Sequence, residues 1–147
     1  MESVVSYTIQ DMIDADKEGL LGLECASAYW GMSTFRWDMP IFLIRSDCKE
    51  PIDIPAQISF FFANDICYDN SVKLSNKLSI TSREQTVCDM IRYDRQEFHL
   101  YETILSAFED GEVDIDKLNR LAKKFGIYDR LYELKELAEE DDDDETY

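Results

Sequence analysis

Histidine is nearly absent: His99 is the only one among 147 residues. A single imidazole excludes every multi-histidine metal or catalytic set, H-E-x-x-H included. Glycine is also scarce. The five glycines, at 19, 22, 31, 111 and 126, fit neither G-x-G-x-x-G nor G-x-x-x-x-G-K-[ST]. No G-x-S-x-G nucleophile elbow is present. The four cysteines, Cys25, Cys48, Cys67 and Cys88, contain no C-x-x-C pair. Zinc-site spacing is therefore missing, and reduced, buried structural thiols are the expectation. No apolar run reaches the roughly 18 residues of a membrane span. Met1-Glu2-Ser3 opens on acidic, amphipathic sequence rather than on a signal peptide. A cytoplasmic location is expected.

Positive charge is the remaining shortage. Fifteen basic residues face 32 acidic ones, for a formal charge of −17. The run Glu139-Glu140-Asp141-Asp142-Asp143-Asp144-Glu145 holds seven of the acids, so the rest of the chain is acidic on its own account. Such a surface repels phosphate backbones and lacks the basic stripe of a nucleic-acid binder. Direct DNA binding is not expected. A basic partner is favoured, or charge that serves solubility alone.

Apolar residues make up 45% of the chain, enough to bury a real core. Val4, Val5, Ile9, Met12 and Ile13 predict a helix within residues 4–17. Residues 23–30 predict a short buried helix that Gly31 stops. Pro40 to Ile44 and Ile58 to Phe62 read as strands, with a further strand over Asp65 to Tyr68, alternation at Val72 to Leu74, and a last strand at Leu78 to Ile80. From residue 82 the pattern is helical. Thr81 or Ser82 can cap the first helix, and Thr81 with Glu84 has capping-box spacing. Helices follow over about 96–109, from an Asp114 cap to Gly126, and over about 128–139. The expected fold class is α+β: a small, mainly antiparallel sheet, preceded by short helices and followed by about four C-terminal helices. Residues 1–138 form one domain, and 139–147 form a disordered acidic tail.

Chemistry-bearing patterns are weak. Asp14-Ala15-Asp16 and Asp114-Ile115-Asp116 have D-x-D spacing, but neither follows Gly-Ser or a strand as in a nucleotidyltransferase. No strand carries the E-x-K of a metal-dependent nuclease. A Cys–His pair from Cys88 and His99 is possible on sequence, although both positions also suit structural roles. No catalytic residue, cofactor or metal is expected. Tyr29, Trp30, Phe35, Arg36 and Trp37 cluster, and aromatic residues and arginine are enriched at interface hot spots. Trp30 suits the core. Phe35, Arg36 and Trp37, in a loop before a strand, are the candidate partner-binding residues.

The order of motifs resembles the C-terminal domain of the AbiEi family, the antitoxins of type IV abortive-infection toxin–antitoxin systems. The segment from Gly19 to Met32 is similar to the family's "G-x-x-S-x-x-S-A-L-x-x-x-G-L". Thr81-Ser82-Arg83-Glu84-Gln85-Thr86-Val87-Cys88-Asp89-Met90-Ile91 is similar to its "T-x-x-E-R-T-x-x-D-x-[IL]" helix start. Leu118 to Phe125 is similar to its "L-x-x-[LY]-A-K-[KR]" helices. The resemblance covers about residues 18–138. It implies a non-catalytic antitoxin or phage-defence protein that counteracts a nucleotidyltransferase-type toxin, with Thr81, Glu84, Thr86 and Asp89 as motif residues of chiefly structural role. The alternatives are an accessory protein of a transcriptional regulator and a degenerate nuclease or nucleotidyltransferase. Two departures stand out. About 18 residues precede the resembling region, too few for the family's winged helix-turn-helix. Gln85 stands where the motif has Arg.

Overall fold

The computed structural model describes residues 8–35, 40–45 and 59–144, with the side chains of 142–144 left aside. Eleven elements follow one another among them. They are α1 (Ile9–Asp14), β1 (Gly19–Leu21), α2 (Leu23–Tyr29), β2 (Ile41–Arg45), β3 (Ser59–Ala63), β4 (Ser71–Lys73), β5 (Leu78–Thr81), α3 (Arg83–Arg92), α4 (Glu97–Glu109), α5 (Ile115–Lys124) and α6 (Tyr128–Asp144).

The class is α+β, and the sheet is mixed rather than mainly antiparallel. Its order is β3-β2-β1-β5-β4. β1 pairs antiparallel with β2 and parallel with β5, while β2–β3 is parallel and β4–β5 antiparallel. The difference comes from β1, which sits at the sheet's centre. It is only three residues long, between Gly19 and Gly22, which read as breaks. Asp65 to Tyr68, expected as a strand, forms no strand. Residues 64–70 instead carry the chain from edge strand β3 to edge strand β4.

Close packing explains the glycine that opens β1. A Cβ on Gly19 would lie 2.3 Å from the Phe42 ring, and the backbone φ is +154°. Phe42 is 1% exposed and stacks on Phe60 at 6.0 Å, so the ring has little room to yield. Gly19→Ala is expected to destabilise the fold by about 2 kcal/mol, the usual scale of overpacking. Urea unfolding checks this, and an unchanged midpoint would refute it.

α2 and α3 start directly after the parallel strands β1 and β5 and pack on each other. α3 also packs on α4 and α5, and α6 lies along α4. Buried residues from Ile9 to Leu134 form one cluster. Several expected signals sit where they were placed. Asp114 caps α5, accepting from the Lys117 amide at 3.1 Å. Gly126, with φ +73°, follows the end of that helix. Residues 4–7 of the first expected helix lie outside the described residues.

The acidic run differs from its expectation. α6 continues beyond 138 to Asp144, while 145–147 lie outside the described residues. Leu131, Leu134 and Ala138 bury one face of α6, and that docking seeds the turns beyond. Acids at a helix C-terminus oppose its macrodipole, so these last turns gain little from their own charges.

Candidate functional site

The motif segment Thr81–Asp89 forms the end of β5 and most of α3. Ser82 is the helix cap: its hydroxyl accepts from the Gln85 amide at 3.1 Å. Thr81 is still in the sheet, opposite Ser71, and so cannot close a capping box. Its buried hydroxyl lies 2.7 Å from that of Thr86. Thr86 in turn donates to the Ser82 carbonyl at 2.7 Å. Trp30 donates its indole N–H to the Thr81 carbonyl at 2.8 Å and packs against the core. Glu84 reaches forward to α5: it accepts from the Asp114 amide at 3.2 Å and lies 3.6 Å from Lys117 Nζ.

Gln85, Cys88, Asp89 and Arg92 form one stripe of α3, at spacings of three and four. The 64–70 connection runs antiparallel to this stripe. Asn70 Nδ2 donates to Gln85 Oε1 at 3.0 Å, and the Asn70 carbonyl accepts from the Ser82 amide at 2.8 Å. At the other end, Arg92 donates to the Asp65 carbonyl at 2.8 Å and lies 2.9 Å from Asp65 Oδ2. The Tyr93 hydroxyl donates to Asp65 Oδ1 at 2.8 Å. Asp89 joins the two ends. Its Oδ1 accepts from Gln85 Nε2 at 2.7 Å and from Arg92 Nη1 at 2.8 Å. Asp89, a motif residue of structural role, is tied in this way to the sheet. It anchors the sheet's edge-to-edge connection, through Gln85 and Arg92.

Charge in this network is finely set. Asp89 is 1% exposed, and its Oδ2 has no hydrogen-bond partner among the described residues. Burial pushes its carboxyl up to about 6, against the opposing pull of Gln85 and Arg92. Asp65, largely solvated, is held below the usual carboxylate range by the Tyr93 hydroxyl and by Arg92. A second ion pair, unsuspected from sequence, joins buried Glu24 of α2 to Arg95 after α3, at 2.6 and 2.9 Å. The partners are 71 positions apart, and no local pattern announces them.

No family model and no curated protein matches the chain.

The interface candidates divide. Arg36 and Trp37 lie outside the described residues. Phe35 is half-buried, and its ring meets His99 edge-on at 5.4 Å. His99 Nδ1 lies 3.0 Å from Glu102 Oε1, and Thr34 donates its amide to the same oxygen at 3.1 Å. Beside Thr34, a shallow cleft of about 310 Å³ is lined by Gly31 to Thr34 and by Glu102, Leu105, Ser106, Glu109 and Asp110 of α4 and its end. Phe98, 57% exposed, also packs edge-on against His99, at 5.2 Å. The site therefore offers carboxylates beside exposed aromatic surface.

Among the described residues no hydrogen bond joins His99 to a cysteine. Burial pushes the Cys88 thiol up to about 12. Of the D-x-D acids, Asp16 accepts from Ser75 Oγ at 2.5 Å and from the Lys77 amide at 2.9 Å, and Asp114 is spent on capping. Among the described residues no group of three or more His, Cys, Asp or Glu could hold a metal ion. A second shallow cleft, about 320 Å³ beside β1 and β5, includes one carboxylate, Glu18. Among the described residues no helix is long and apolar enough to cross a membrane.

Proposed function

We propose that this chain is a non-catalytic, antitoxin-like protein of the cytoplasm that acts by binding a basic surface of a partner protein. The AbiEi-like motif order suggests a nucleotidyltransferase-type toxin as that partner. The observation that carries the reading is the α4 surface, where the carboxylates of Glu102, Glu109 and Asp110 line a cleft close to Phe35 and the exposed ring of Phe98. The acidic end of α6 lies near the first turns of α4, where Glu97 and Asp141 both act on Tyr101. Carboxylates around an aromatic anchor steer a cationic partner electrostatically and then hold it by desolvation.

Charge reversal tests the surface. The triple variant Glu102→Lys, Glu109→Lys, Asp110→Lys is expected to bind a co-expressed nucleotidyltransferase-type toxin at least about tenfold more weakly, chiefly through slower association. Wild-type binding is expected to weaken as salt rises. Growth rescue by the wild type and not by the variant is the cellular counterpart. No association at low salt and no rescue would overturn the proposal.

A further inference from the structure

Three thiols lie among the described residues, and they differ in setting. Cys25 is buried within α2, hydrogen-bonded to the Gly22 carbonyl at 3.1 Å and placed on the backbone of Ile41. Cys67 is half-buried in the middle of the 64–70 connection. Cys88 is buried on the α3 stripe that faces that connection.

The register between connection and helix brings the last two together. Asn70 is bound to Gln85, and Asp65 is bound to Arg92. Cys67 lies between Asp65 and Asn70, and Cys88 lies between Gln85 and Arg92 on the same helical stripe. Asn70 Nδ2 supplies a direct marker. It donates to Gln85 Oε1 at 3.0 Å and lies 4.0 Å from the Cys67 sulfur. The Cys67 sulfur therefore lies on the side of the connection that meets the Gln85–Arg92 stripe of α3, on which Cys88 is placed. Burial and then the neighbouring Asp89 and Glu84 raise the Cys88 thiol, and Cys67 is also near enough to act on it.

We propose that Cys67 and Cys88 are a modification site for peroxide, which oxidises them to a reversible disulfide tying the 64–70 connection to α3. Half-exposed Cys67 reacts first. Its thiolate sulfur attacks hydrogen peroxide, so that an S–O bond forms and the O–O bond breaks. The products are a sulfenic acid and hydroxide, which takes up the thiol's proton to become water. The Cys88 sulfur then attacks the Cys67 sulfur. The S–S bond forms, the S–O bond breaks, and the departing hydroxide leaves as water with the Cys88 proton. Each sulfur gives up one electron, and the peroxide takes both.

Oxidation of the full chain with hydrogen peroxide, followed by alkylation, trypsin digestion and mass spectrometry, tests this. The expected product joins peptide 50–73 to peptide 84–92, is lighter than their sum by two hydrogens, and is separated by dithiothreitol. Thiols titrated in denaturant should fall from the four of the reduced chain to two. Cys67→Ser and Cys88→Ser should each abolish the link, and Cys25→Ser should keep it. Should Cys88→Ser fail to fold, Cys67→Ser at the half-exposed position supplies the same control. The proposal is overturned by any of four results: a link from Cys67 to Cys48, a link between two chains, irreversible oxidation of Cys67 without a bridge, or four thiols remaining after treatment.

Discussion

Arg92→Ala is expected to lower stability by about 3–5 kcal/mol at neutral pH, the cost of leaving a buried carboxylate without its counter-ion. Arg92 is the common partner of buried Asp89 and of the Asp65 carbonyl and carboxylate, and its guanidinium also lies 4.2 Å from the Phe125 ring centroid. Its removal thus strands a charge and frees the connection between the edge strands. The loss should shrink as pH falls, because an unpaired Asp89 takes up a proton and ceases to be a buried charge. Adding Asp89→Asn to Arg92→Ala should recover a substantial part of it, and the double-mutant cycle measures the coupling. Arg92→Lys should fall between, since one ammonium cannot reproduce the guanidinium's fork onto both acids. Urea unfolding at pH 5 and 7.5 distinguishes these outcomes. A loss below about 1 kcal/mol, or one equal at both pH values, would show that Asp89 does not depend on Arg92.

Asp89→Asn should change the pH dependence of stability itself. The folded-state pKa of about 6 is above the reference value of 3.8. Between these values the native state binds more protons than the unfolded state. The contribution of Asp89 is therefore greatest in acid and is lost as pH rises from about 4 to 6. Roughly two pKa units correspond to about 3 kcal/mol. The stability of Asp89→Asn relative to wild type should thus rise by up to about 3 kcal/mol across that window and level off above it. Asp16 and Asp65 act with the opposite sign, because their carboxyls are held low; their contribution is lost as pH falls through and below the ordinary carboxylate range. Subtracting the two pH curves removes that background. A carboxyl titration by NMR supplies an independent reading, and an Asp89 midpoint below 4 would end the argument.

The helical half of the chain was largely legible because its signals are local. Leu118, Leu121 and Ala122 repeat at helical spacing and are buried in α5. Asp114 and Gly126 bound that helix by cap chemistry that needs no distant residue. The motif residues Thr81, Glu84, Thr86 and Asp89 were also found by pattern, and all four are buried polar groups. Their roles shifted. Sheet pairing of Thr81 passed the cap to Ser82, and Glu84 turned to α5 instead of to its own helix.

Periodicity and capping by themselves determined most of the helices and the α+β class, since each depends on residues within a few positions of one another, and composition alone determined the acidic character. Tertiary structure alone decided that Gly19–Leu21 is the central strand, that residues 64–70 lie along α3, and that Glu24 meets Arg95. A three-residue strand has too few positions to show a period, and its identity rests on Phe42 and Ile80 across the sheet. A contact spanning 71 positions has no trace in local spacing. It arises only when burial of one partner makes the other the cheapest way to satisfy its charge.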